Sequence, residues 1–209
     1  MYTVYLYVLE TLADWEIGHV TAELSSGRFF REGAPEVALR TAGRNRAPVR
    51  TMGGLNVVPD CTVDEISIDA SGVLLLPGAD TWGDARHAAV LDRAEALLAA
   101  GGTVCAICGA TVALANRGLL DHRPHASNGP GFLERFAPGY RGQAHCADAP
   151  SVADGNLITA GCTGALAWAR HILDRLDVFS PATLRAWYDY FRTGAPEHFF
   201  ALMQSLPRE

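Results

Sequence analysis

Long apolar runs are missing from this chain of 209 residues. None approaches the length that crosses a bilayer, and the first residues form a strand pattern with no basic leader. Runs of Lys/Arg are missing too. With Lys+Arg 17 against Asp+Glu 23 the formal net charge is -6, which aids solubility and points to no nucleic-acid surface. The Rossmann glycine fingerprint and the P-loop are both absent, so no organic cofactor is implied. Cysteine is sparse: Cys61, Cys105, Cys108, Cys146 and Cys162 make an odd, scattered set. Such a set argues against a secreted disulfide framework and for reduced thiols in a cytoplasmic protein. No repeat, low-complexity tract or linker divides the chain, so one domain over residues 1–209 is expected. At 49% hydrophobic and 19% charged it has an ordinary globular composition.

What is present alternates between strand and helix. Tyr2 to Leu9 is nearly continuous in apolar character and predicts a buried parallel strand. Asp14 is placed to cap a helix running from Trp15 to Leu24. Val37–Ala42 predicts a second strand, and the segments flanking Gly53-Gly54 a short hairpin. Val73–Leu76 is a fully apolar strand ending at Pro77-Gly78-Ala79, followed by a helix from Ala88 to Ala99. A further strand ends at Cys108, where small residues open a helix that stops at Arg117-Gly118. Val152–Ala160 predicts a hairpin and last strand, Gly161–Leu176 a helix, and about 181–205 an aromatic helical segment. The pattern implies an α/β fold with a mostly parallel sheet and helices on both faces.

The break at Cys108 carries the chemistry. A strand–nucleophile–helix elbow lifts one side chain above the sheet and points backbone N–H groups at whatever it attacks. A thiol at a helix N-terminus is expected to ionise below the free value of ~8.5. Gly109 lets the backbone approach an oxyanion, and the turn at Gly78-Ala79 offers a second donor. Cys105 lies three residues earlier in the strand. It therefore faces the other way, which weakens a redox couple or half a zinc site. No second Cys-x-x-Cys or His-x-His completes a metal set. Glu16 follows the first strand, and in a parallel sheet the carboxyl ends of the strands line one crevice. It is either an exposed first-turn glutamate or a buried acid beside the thiol, its pKa raised. His125, with His122 as local competitor, is a candidate general base or a surface residue of a polar loop.

Ala13-Asp14-Trp15-Glu16, Leu75-Leu76-Pro77-Gly78-Ala79, Ala106-Ile107-Cys108-Gly109-Ala110-Thr111 and His125-Ala126-Ser127-Asn128 occur in that order. Together they resemble the ThiJ/PfpI superfamily, whose fold is shared with class I glutamine amidotransferase domains. The resemblance implies a flavodoxin-like three-layer sandwich, usually dimeric. By position Cys108 becomes the nucleophile, Glu16 the buried acid, Gly78 and Gly109 oxyanion donors with Ala79 beside them, and His125 the nearby histidine. Gly109 stands where the protease-like branch has a histidine, which disfavours a classical peptidase. The expected activity is a cysteine-dependent hydrolase or amidase acting on a small molecule, without metal or organic cofactor. A glyoxalase- or deglycase-like enzyme acting on reactive aldehydes is the nearest rival. A non-catalytic oxidative-stress sensor belongs to a different class.

Overall fold

A computed structural model of the chain describes residues 1–207. The β-branched and aromatic start of the chain forms β1 (Tyr2–Tyr7), and α1 (Asp14–Ser26) follows it. Asp14 is the first residue of that helix rather than its cap. Its carboxylate instead accepts the Gly53 N–H at 2.6 Å, tying α1 to the hairpin tip. Strand β2 (Val37–Gly43) comes next, then the hairpin of β3 (Val49–Arg50) and β4 (Asn56–Val57), and the short β5 (Cys61–Thr62). Cys61 is fully buried there.

The apolar run before Pro77 is β6 (Gly72–Leu76); α2 (Ala88–Ala99) leads from it to β7 (Thr103–Ile107). Every residue of β6 and β7 is buried, which is why neither alternates in polarity. After the elbow come α3 (Gly109–Asn116) and a one-turn helix, α4 (Phe132–Phe136), which has no counterpart among the expected elements. The hairpin of β8 (Ser151–Asp154) and β9 (Leu157–Ala160) closes the sheet.

The last helices are α5 (Ala165–Arg175), α6 (Pro181–Thr193) and α7 (Pro196–Gln204). Helix α5 starts four residues later than its periodicity suggests, because the chain first closes a tight turn in which the Gly164 N–H donates to the Gly161 carbonyl. Gly161 donates to the Pro150 carbonyl and Cys162 to the Asn128 side chain. Ser180 caps α6 through the Thr183 N–H, with Pro181 in the first turn.

The sheet runs β5-β2-β1-β6-β7-β9-β8, all parallel except β8 against β9. Helix α1 packs on α5, which carries α6 and then α7; α2 and α3 pack on the central β7. This is the flavodoxin-like α/β arrangement, with β1, β6 and β7 ending side by side. None of the described helices is long and apolar enough to cross a membrane.

Candidate active site

Strand β7 stops at Ile107, and Cys108 takes φ 58° and ψ -123° before α3 begins. A non-glycine residue rarely holds positive φ, and such strain persists only where neighbours fix it. They do so here. The Cys108 N–H donates to the Ala160 carbonyl at 3.0 Å, and the Cys108 carbonyl accepts from the Thr111 amide and from its hydroxyl at 2.6 Å. Thr111 in turn meets the Ser127 hydroxyl at 2.6 Å. Cys105 is fully buried within β7, whereas Cys108 is half-buried at the strand's end. Among the described residues no group of three or more His, Cys, Asp or Glu side chains could hold a metal ion.

Glu16, in the first turn of α1, has no solvent exposure. Its Oε2 accepts the Gly78 N–H at 2.6 Å, while Oε1 has no partner with ordinary hydrogen-bond geometry. The thiol is the group beside it: a Cβ added to Gly78 would stand 2.6 Å from Glu16 Oε2 and 2.8 Å from Cys108 Cβ. Glycine at position 78 thus leaves room for an acid and a thiol to touch. Gly78 is not a free oxyanion donor, since its only N–H is engaged by Glu16. Ala79 and Gly109 remain. Ala79 N lies 3.6 Å from where a Gly109 Cβ would be, and among the described residues it donates to no acceptor.

The electrostatics reverse one expectation. Burial pushes the Cys108 thiol up to about 12; the Asn128 hydrogen bond opposes this and the Glu16 charge adds to it. Desolvation and a facing carboxylate therefore outweigh the helix terminus. Burial also raises Glu16, partly offset by the Gly78 amide and the thiol. Acid and thiol form one coupled pair, in which ionising either hinders the other.

His125 is fully buried and directed away from this pair. Nδ1 lies 2.6 Å from the Arg123 carbonyl oxygen and Nε2 2.6 Å from Tyr140 Oη, so neither nitrogen is available to Cys108. Burial lowers its pKa. Besides Glu16, the polar side chain that reaches the thiol is Asn128: Nδ2 donates to Sγ at 3.4 Å, and Oδ1 accepts the Cys162 N–H at 2.8 Å. It closes the His-Ala-Ser-Asn stretch, but nothing in its residue type separates it from an ordinary turn asparagine.

Two relatives cover nearly the whole chain. The "Uncharacterized protease YoaZ" of Bacillus subtilis is 42% identical over 205 residues, 98% of each sequence. The crystal structure of a thiJ/pfpI family protein from Bacillus anthracis superposes with a TM-score of 0.96 at 40% identity, over 100% of this chain and 99% of that one. The DJ-1 superfamily protein Atu0886 from Agrobacterium tumefaciens gives 0.79 at 29% identity, over 93% and 99%. Residues 2–175 match the DJ-1/PfpI family. The chain belongs to that family.

Proposed function

We propose that this protein is a cysteine-dependent hydrolase of small molecules, amidase-like in its chemistry, with Cys108 as nucleophile. The contact of Glu16 with Cys108 across Gly78 carries the reading. A thiol raised to about 12 is protonated at neutral pH, so attack needs a base at the moment of bond formation. Glu16, itself raised by burial, is the base within reach. As sulfur bonds to the carbonyl carbon, the thiol proton passes to the Glu16 carboxylate. The carbonyl electrons move onto oxygen, facing the Ala79 and Gly109 N–H groups. Glu16 then returns the proton to the departing amine, and water cleaves the thioester.

The same first step on an aldehyde gives a hemithioacetal once the oxygen takes the proton, which is the glyoxalase- or deglycase-like alternative. A sensor reading draws on a different feature. Asn128 Nδ2 and a protonated Glu16 are donors placed to hold the oxygens of an oxidised sulfur. A cytoplasmic location suits the five free thiols. Turnover of simple amides and of methylglyoxal by wild type and Cys108→Ser separates these readings. Turnover abolished by the substitution is the expected result. A wild-type protein inert to both substrates, yet oxidised stoichiometrically by mild peroxide, overturns the enzyme in favour of the sensor.

A further inference from the structure

A second concave region lies where β1 and β2 end and the loop after β6 begins. It is a cavity of about 100 Å³, lined in part by Tyr7, Glu10, Arg44, Thr81, Arg86 and His87. Its polar floor is buried: Tyr7 Oη lies 2.8 Å from His87 Nδ1, and His87 Nε2 lies 3.2 Å from Thr81 Oγ1. Burial, with Arg86 adding to it, holds His87 below its ordinary value and so uncharged at neutral pH. Burial likewise raises Tyr7 to about 12, against the pull of Arg44 and Arg86. The floor is thus neutral, and both guanidinium charges act on it.

The two arginines differ in their ties. Arg86 is oriented by Asp84, whose Oδ2 accepts from Nε at 2.6 Å. Arg44 makes no ion pair or side-chain hydrogen bond among the described residues. Glu10 is the opposing charge on the lining, and its Oε2 accepts the Arg50 N–H. Glu10 and Asp84 balance the two arginines in number, but the Arg44 guanidinium itself has no bonded partner at the mouth of the cleft. Its planar fork matches carboxylate and phosphate oxygens.

We propose that this cleft binds an oxyanion group of a small molecule, with Arg44 as the fork, Arg86 as the second charge and Thr81 as a neutral partner. A single indole separates it from the elbow. The Trp82 ring lies 5.3 Å from His87 and 5.8 Å from Tyr7 between centroids, and Trp82 Cδ1 is 3.2 Å from where a Gly109 Cβ would be. Binding here is independent of catalysis, so this site stands or falls apart from the role of Cys108.

Calorimetric titration of the full chain in chloride-free buffer, with inorganic phosphate and separately with succinate, tests it. Saturable binding of one probe, weakened about tenfold or more in Arg44→Ala, is the expected result. The probe that binds distinguishes a phosphate from a carboxylate source. An unchanged thermal midpoint for Arg44→Ala shows that the exposed substitution leaves the fold intact. The site is refuted if wild type binds neither probe saturably, or if Arg44→Ala binds as tightly as wild type.

Discussion

Gly78 sets the spacing at the residue scale. Gly78→Ala places a methyl 2.6 Å from the buried carboxylate and 2.8 Å from the thiol's Cβ, and both groups sit on fixed backbone. A cost of about 1–3 kcal/mol follows, read as a lower urea midpoint; an unmoved midpoint contradicts the packing described. Burial raises the thiol most and the Glu16 charge adds to it, an addition that Glu16→Gln removes. Its iodoacetamide alkylation profile, followed by intact mass, therefore moves to lower pH than in wild type; no movement, or the opposite one, counts against the pairing. Stability carries a matching sign. An acid raised on folding contributes stability fully present below its unfolded value, near 4.5, and lost as pH rises through the folded one. Denaturant midpoints in Glu16→Gln should lack that decline. Cys108 was legible in the sequence because a strand of apolar residues ends at a cysteine and small residues. That Gly78 serves the acid, or that Asn128 and not His125 meets sulfur, was not legible, since each depends on where one N–H points.

Helix α1 links two buried carboxylates at the element scale. Glu16 faces the thiol, and Glu23, seven residues and two turns further, is 1% exposed. Glu23 bonds the Arg28 guanidinium at 2.6 Å and accepts the Trp187 Nε1–H at 3.0 Å, so α6 is pinned to the helix that carries the acid. Trp187→Phe keeps most of the ring but leaves Oε1 without that donor. A loss of about 1–3 kcal/mol in chemical denaturation is expected, and a neutral effect would mean that the ring alone holds α6. Strands β1, β6 and β7 were readable because burial on both faces leaves them nearly continuous in apolar residues. The start of α5 was not: Gly161 to Gly164 fit a helical period, yet they close as a turn that is tied to Pro150 and Asn128 on two other loops.

An exposed apolar patch is a feature of the whole molecule. Exposed Trp15 opens α1 beside the hairpin tip, where Met52 and Leu55 are exposed as well; the Met52 N–H donates to the Leu12 carbonyl and holds the two surfaces together. We propose that a second copy of the chain docks on this patch. Sedimentation velocity should give a dimer for wild type and a shift toward monomer for Leu55→Asp, with affinity reduced about tenfold or more. A monomeric wild type rules the face out. The chain contains no lysine, so all 17 cations are arginine. An aldehyde adduct found by mass therefore cannot be a lysine Schiff base, and peptide mapping has to separate Cys108 from the other thiols, the arginines and the N-terminal amine. The sheet's two borders add a different consequence. One edge strand, β5, has only two residues, and the other, β8, has four and runs against its neighbour. Short edges make poor templates for adding a strand from another molecule. Concentrated solutions of this protein should accordingly resist fibril growth.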